Sequence, residues 1–219
     1  MNSDTEIVNL ALSHLGISKE IASLETEKSQ EASAGRRFYE TTRDQILRDF
    51  PWPFANVFAV LPLVEENPND EWAFSYRYPS DCLLLRRIMS GIRNDNRQSR
   101  IPYKIGKDSE GKLIYTDMES AKIEYTSLIT EVSRFPVDFG MALSFRLAAY
   151  MAPRLTGGDP FKMGERAFKL YIVELTRAQA SAVNEQQDEE APQSEFIRSR
   201  DGDSDNQSNR NNASTFIWP

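Results

Sequence analysis

One segment of the chain strongly limits how the protein can fold. Residues 137–152 read VDFGMALSFRLAAYMA and carry apolar side chains at helical spacing on most sides. Phe139, Leu143, Leu147 and Met151 fall on one ridge of such a helix. A helix that is apolar over most of its circumference has to be covered by other elements on several sides. The sequence therefore predicts that this helix lies at the centre of the fold.

Three further helices are predicted from their end signals and apolar spacing. The first covers about residues 4–15 and begins at a capping box formed by Ser3 and Glu6. The second runs from about residue 29 to 50, where the proline that follows disfavours further helix. The fourth covers about residues 160–184, after a Gly-Gly-Asp break and a proline at position 153 that are expected to end the central helix.

Between the second and third helices the sequence favours strands. Short runs rich in Val, Ile, Leu and aromatic residues alternate with turn-like NPND, RNDNRQS, GKDSEG and DMES. We expect a small antiparallel sheet of about four to six strands. The candidate strands are 54–64, 72–77, 82–88, 101–105, 113–116 and 122–126.

The expected fold class is α+β: an antiparallel-type helical bundle of about four helices, with a small antiparallel β insertion and an extended C-terminal arm. Residues 1–53 would form the N-terminal helices and residues 54–132 the β-rich insertion. Residues 133–185 would form the C-terminal helices and residues 186–219 the arm.

The arm has a composition that cannot form a core by itself. Residues 186–219 are acidic and then rich in Asn, Ser and Asp, so burial cannot offset the entropy lost on ordering. Two apolar clusters interrupt this polar sequence, and a cluster containing Trp is typical of binding hot spots. We expect the arm to take shape only on another polypeptide. Its predicted interface residues are Phe196, Ile197, Arg198, Phe216, Ile217, Trp218 and Pro219.

A second candidate interface is the charged side of the second helix. It carries Arg36, Arg37, Arg43 and Arg48, interspersed with acidic residues. A mixed charge run of this kind is usually a solvated face, and a specific protein contact is the alternative.

Charge and composition exclude several classes of function. The formal net charge is −7, which disfavours nonspecific binding to duplex DNA by clustered cations. Cys82 is the single cysteine and His14 the single histidine, so an internal disulfide and paired-histidine metal sites are excluded. We predict no metal, cofactor or catalytic residue, no membrane anchor, and no export signal in the acidic N-terminus.

A glycine-rich stretch matches the spacing of a phosphate-binding loop. Gly106 to Lys112 reads GKDSEGK, but a P-loop needs Ser or Thr next and then a helix. Here Leu113 follows and begins a strand-like run, and the loop carries two acids that would repel phosphate. A hairpin turn is the favoured interpretation.

Two acidic pairs offer an enzymatic alternative. Glu65-Glu66 and Asp70-Glu71 could supply the two carboxylates of a glycosidase. They lie in a Pro/Asn-rich stretch without apolar surroundings, so a solvated loop is favoured. The alternative function is a virion-associated glycosidase that degrades cell wall or capsule.

The order of helix ends and aromatic residues resembles a known family. The residues that carry the resemblance are Leu15-Gly16, Glu31-Ala32, Tyr39, Arg43, Ile46-Leu47, Phe50-Pro51-Trp52-Pro53-Phe54-Ala55, Tyr76-Arg77-Tyr78-Pro79, Asp81-Cys82-Leu83, Leu85-Arg86, Phe139, Ala142-Leu143 and Leu147-Ala148. Over about residues 3–185 this pattern is similar to the head-to-tail adaptors of short-tailed bacteriophages (podoviruses), called tail tubular protein A or tail accessory factor.

The resemblance implies a structural virion protein rather than an enzyme. Family members assemble as a ring, here expected to hold twelve copies, beneath the portal protein. The ring extends the DNA channel and joins the portal to the tail nozzle and fibres, so the chain would be made in the host cytoplasm and reside at the head–tail junction. Its acidic charge agrees with a channel that encloses DNA without sequence-specific binding, since such a wall makes few phosphate contacts.

Overall fold

Four helices and seven strands make up the part of the chain that the computed structural model describes, residues 3–92, 99–157 and 159–185. The helices are α1 (Asp4–His14), α2 (Gln30–Asp49), α3 (Val137–Leu155) and α4 (Pro160–Asn184). The strands are β1 (Asn56–Val60), β2 (Leu63–Asn69), β3 (Trp72–Arg77), β4 (Cys82–Ile88), β5 (Lys104–Lys107), β6 (Lys112–Thr116) and β7 (Lys122–Ser127). Single turns of 3-10 helix precede β1 at Pro53–Ala55 and α3 at Val132–Arg134.

Helix α3 is the centre of the helical part, as its apolar sequence predicts. Helices α1, α2 and α4 all pack against it. Phe139, Leu143, Leu147 and Met151, the predicted ridge, are all buried. The core around them also takes in Trp52, whose indole N–H donates to the Ile46 carbonyl at 2.8 Å.

Local signals fix the helix ends. The Ser3 hydroxyl accepts a hydrogen bond from the Glu6 N–H, and Ser29 does the same for Ala32. Gly16 ends α1 with a φ of 75°, a left-handed conformation that costs glycine little. These ends agree with the sequence-based expectation.

The prediction that Pro153 ends α3 is wrong, because the helix continues to Leu155. In its last turn the proline removes one N–H, which would have bonded to the Ala149 carbonyl. That oxygen faces Gly164 of α4, where a Cβ would approach it to 3.2 Å. The absence of a side chain at Gly164 therefore allows α4 to pack closely on α3.

The strands form two antiparallel sheets. Sheet A has the order β1-β7-β4, and sheet B has the order β2-β3-β6-β5. In sheet A Phe58 lies opposite Glu124, and in sheet B Tyr76 lies opposite Ile114. The buried faces form a second core, separate from the helical one, that includes Ile88, Ile114 and Ile123.

The expected fold class, a helical bundle with a small β insertion, is therefore wrong. Seven strands in two sheets with their own hydrophobic core make this a β-rich α+β structure. The expected strand of residues 54–64 is in fact two strands, β1 and the start of β2, and the remainder of β2 has no strand signal because the sequence LVEENPN is mostly polar and exposed. The expectation of one sheet is wrong because pairing between distant strands leaves no local signal.

Arg86 of β4 joins the sheets to the helices. Its Nη2 donates to the carbonyls of Arg48 and Phe50 at 3.1 and 2.9 Å, and its Nε donates to the Thr126 hydroxyl at 2.9 Å. The last carbonyls of a helix have no partner within the helix, so this guanidinium acts as a C-terminal cap for α2. Partial burial lowers the pKa of Arg86 from its ordinary value.

We predict that Arg86→Met destabilises the protein by about 2–3 kcal/mol, because it removes the donor to the Arg48 carbonyl together with the bonds to the Phe50 carbonyl and the Thr126 hydroxyl. Its neighbour Arg87 pairs with Glu124 on the outer side of sheet A, so Arg87→Met should cost only about 1 kcal/mol. Urea unfolding followed by circular dichroism measures both. Equal losses in the two variants would contradict the capping role.

Candidate interaction surfaces

Only some of the arginines in the predicted charged interface on α2 are exposed and free of structural contacts within the described part of the chain. Arg37 and Arg48 are exposed, and Arg48 reaches the Leu83 carbonyl at 3.4 Å. Arg36 is exposed but donates to the carbonyls of Leu24 and Glu27, which fixes the linker between α1 and α2. These contacts give Arg36 a structural role within its own chain.

Arg43 differs from the expectation of an exposed arginine. It is buried, and its Nε and Nη2 both donate to Asp44 Oδ1, at 2.9 and 2.8 Å. The expectation is wrong because the residues before α3 fold over this part of α2: Val132 and Ser133 line the same cleft as Arg43. The arm residues Phe196, Ile197, Arg198, Phe216, Ile217, Trp218 and Pro219 lie outside the described residues.

Helix α4 carries an exposed apolar stripe that the sequence analysis missed. Phe161, Phe168, Ile172 and Val183 occupy one flank, and their side chains are between 45% and 78% exposed. Leu175 extends the same flank and is half-buried. We call these five residues the α4 stripe. Their spacings of 7, 4, 3 and 8 residues all place side chains on one side of a helix. The sequence therefore contains two apolar series in α4, this one and the series that faces α3.

A second exposed apolar surface lies on the sheets. Phe58 and Val60 alternate on β1, and Leu63 and Val64 begin β2; all four are exposed. We call these four residues the β1–β2 patch. Strand β1 is also an edge of sheet A, since β7 is its one partner among the described strands. Edge strands commonly carry charges, prolines or bulges that block further pairing, and the sequence NVFAV has neither charge nor proline.

The α1–α2 cleft is the third candidate surface. It has a volume of about 690 Å³ and is formed by the start of α1, the linker before α2, one face of α2 and residues 130–133. Tyr39 and Arg43 line it and are buried, whereas Glu25, Glu40 and Glu131 are exposed residues of its lining. The cleft is therefore polar inside and acidic outside.

Tyr39 is an unusual residue in this cleft. Its hydroxyl is buried and has no hydrogen-bond partner among the described residues. Burial raises the pKa of Tyr39 to about 12, so the group remains an O–H donor at neutral pH. A buried donor without an acceptor costs about 1–3 kcal/mol. This could not be predicted, because the tyrosine falls on an ordinary apolar helix face.

The GKDSEGK stretch forms a hairpin, as predicted. Strands β5 and β6 pair across it, and Asp108 accepts hydrogen bonds from the N–H groups of Glu110 and Gly111. Arg77 bridges Asp108 and Glu110 at 2.9 and 2.8 Å. This arginine and the two N–H groups lower the pKa of Asp108 to about 2. The ion pairs with Arg77 of β3 and the two N–H contacts therefore stabilise this hairpin turn.

The acidic pairs considered for a glycosidase are exposed. Glu65 and Glu66 lie on β2 rather than in the expected loop, and Glu71 lies in the turn between β2 and β3, where it pairs with Lys104 at 3.4 Å. Cys82 is half-buried in β4 as expected, and burial raises the pKa of its thiol, away from the reactive thiolate.

Two searches of the described residues concern other classes of site. No group of three or more His, Cys, Asp or Glu among them is arranged to hold a metal ion. Within the same residues, no helix has the combined length and apolar character needed to cross a bilayer.

Comparison with known proteins does not assign the chain to a family: no protein-family model matches it, and no curated protein gives a significant match. The resemblance to phage adaptors therefore remains a prediction from the sequence pattern.

His14, the last residue of α1, makes a polar contact and a ring contact with residues of α3. Its ring stacks on Phe145 with centroids 3.7 Å apart, and its Nε2 lies 3.1 Å from the Ser144 hydroxyl. The Ser144 hydroxyl also lies within hydrogen-bond distance of the Met141 carbonyl, at 2.7 Å. Burial lowers the pKa of His14.

We predict a pH-dependent stability that traces to this histidine. A lowered pKa in the folded state means that the unfolded chain binds the proton more tightly. The contribution of His14 is therefore complete above its unfolded pKa of about 6.5 and is lost as the pH falls below that value. Urea midpoints should drop between pH 7.5 and pH 5.5 in the wild type and much less in His14→Gln. An equal drop in both proteins would assign the effect to other groups.

Proposed function

We propose that the chain is a structural head-to-tail adaptor of a short-tailed bacteriophage, which assembles as a ring under the portal protein. The ring extends the DNA channel and connects the portal to the tail nozzle and fibres. The sequence resemblance suggests this role, and the exposed apolar surfaces of the fold support a protein that functions in an assembly.

The α4 stripe is the observation that carries the proposal. Four large apolar side chains on one flank of the helix remain in water, while Ala167, Tyr171, Ala178 and Ala182 are the residues of α4 that are buried in the helical core. Apolar surface gains about 25 cal/mol for each Å² removed from water, and contiguous exposed patches typically mark protein contacts. A neighbouring copy in the ring is the occupant that we propose for the α4 stripe.

A ring adaptor needs at least two contact surfaces, since it binds neighbouring copies and also other proteins along the axis. The β1–β2 patch supplies a second apolar surface, on a different hydrophobic core from that of α4. The net charge of −7 suits a channel wall, because an acidic wall does not hold the phosphate backbone as DNA passes.

The C-terminal arm completes the proposal. Residues 186–219 would anchor on the portal or on a neighbouring subunit through their apolar clusters. Several arms in one ring would act together, which raises the effective concentration of each anchor. The entropy lost when an arm becomes ordered would be offset only at docking, so that attachment would follow ring formation or portal binding.

We predict that Ile172→Glu in the α4 stripe lowers incorporation into the virus at least tenfold, because a charge in an apolar contact removes burial and adds desolvation. The measurement is the amount of adaptor bound to purified tailless heads of the same phage, after quantification on gels. Circular dichroism should show an unchanged fold, since the Ile172 side chain is already 46% exposed.

Leu170→Glu is the matched control for this experiment. Leu170 is 41% exposed on the same helix but lies about 200° away from Ile172 around its axis. We expect its incorporation to stay within about threefold of wild type. If both variants bound heads like wild type, α4 would not be an assembly surface.

We predict that a chain ending at residue 185 folds normally but does not attach stably to heads. All described helices and strands lie before that point, so thermal melting should be close to that of the full chain. Attachment of the truncated chain at full-length levels would show that the arm is not the anchor.

A further inference from the structure

The α1–α2 cleft holds a hydrogen-bond donor that lacks an acceptor among the described residues, the buried Tyr39 hydroxyl. Arg43 lines the same cleft, and its Nε and Nη2 are both directed to Asp44. The charges of Arg43 and Asp4 both act on the Tyr39 hydroxyl, and both residues belong to the lining of the cleft. A donor of this kind fits an acceptor oxygen.

The outer part of the cleft decides which acceptor can enter. Its lining carries the carboxylates Asp4, Glu25, Glu40 and Glu131, and none of them has an ion-pair partner within the described residues. The cationic residues of the lining are Arg36, which is held by backbone carbonyls, and Arg43, which is paired with Asp44. An anionic ligand would be repelled here, whereas a neutral oxygen with positive charges around it would be attracted.

An amide carbonyl on a positively charged polypeptide meets both conditions. We propose that the α1–α2 cleft is a docking site for a basic peptide segment of a partner protein. One backbone carbonyl of that segment accepts a hydrogen bond from Tyr39, and its lysine or arginine side chains face Glu25, Glu40 and Glu131. The inference stands on the cleft alone and does not depend on the adaptor role.

Stability of the free protein provides the first test. Tyr39→Phe keeps the ring and removes a donor without a partner, so the full-length variant should melt at the same temperature as wild type or up to about 4 °C higher. Tyr125→Phe is the matched control, because the Tyr125 hydroxyl donates to Asp81 at 3.0 and 3.1 Å. That variant should melt about 2–4 °C lower. A clear loss of stability in Tyr39→Phe would show that the hydroxyl already has a structural partner and would overturn the proposal.

Binding provides the second test, with defined peptides as probes. Acetyl-Arg-Gly-Arg-amide, acetyl-Ser-Gly-Ser-amide and acetyl-Glu-Gly-Glu-amide are titrated into the ¹⁵N-labelled full chain up to about 20 mM. The basic peptide should give saturable shifts at the amides of Tyr39, Arg43 and Ser133. The neutral peptide should bind more weakly, and the acidic peptide should not bind.

Two variants separate the interior of the cleft from its acidic edge. Tyr39→Phe should raise the Kd of the basic peptide about three- to tenfold, as expected for one lost hydrogen bond. Glu40→Gln should raise the Kd and reduce its dependence on salt. Saturable binding of the acidic peptide, no saturable shift with the basic peptide, or a basic-peptide Kd unchanged in Tyr39→Phe would each overturn the proposal.

Discussion

The guanidinium of Arg86 connects the two hydrophobic cores of this protein by directional bonds. The carbonyl of Arg48 lies in the last turn of α2 and needs a donor from outside the helix, which β4 supplies through the Arg86 side chain. The same guanidinium also donates to the Phe50 carbonyl, which accepts from the Trp52 N–H as well. The hydroxyl of Thr126, on the central strand β7, accepts a hydrogen bond from the Arg86 Nε and so orients that side chain. These hydrogen bonds attach the sheets to the helices at defined atoms. A purely apolar contact, by contrast, would allow the sheets to slide over the helices. The positions of the β1–β2 patch and the α4 stripe within one subunit depend on this attachment.

The helices could be predicted from the sequence because their signals are local. Ser3, Gly16 and Ser29 act on the backbone within four residues, and the ridge of α3 repeats every turn. The bounds of β3 and β4 also follow from short apolar runs. The assignment of strands to two sheets could not be predicted, because β7 pairs with β1 and β4, which are distant in the chain. Strand β2 has a polar sequence and exists through its pairing with β3.

The candidate surfaces were harder to predict from the sequence than the fold. Arg43 looks like a solvated residue in sequence, and only the packing of residues 130–133 over α2 shows that it is buried. The missing partner of the Tyr39 hydroxyl is a property of the surroundings and has no sequence signal. The α4 stripe is different: its helical spacing was visible, but it overlaps the stronger series of Ala167, Tyr171 and Ala178 that faces α3.

The contact between Gly164 and the Ala149 carbonyl has a consequence for symmetry. A Cβ at position 164 would stand 3.2 Å from the Ala149 oxygen, so the absence of a side chain there lets α4 lie in close contact with α3. The outward direction of Phe168 and Ile172 is then the same in every copy of the chain. In a closed ring, the angle between one subunit and the next would be set by such rigid directions. In the proposed ring, a glycine and a proline-freed carbonyl within each subunit would thereby help to determine the curvature, and with it the width, of the channel.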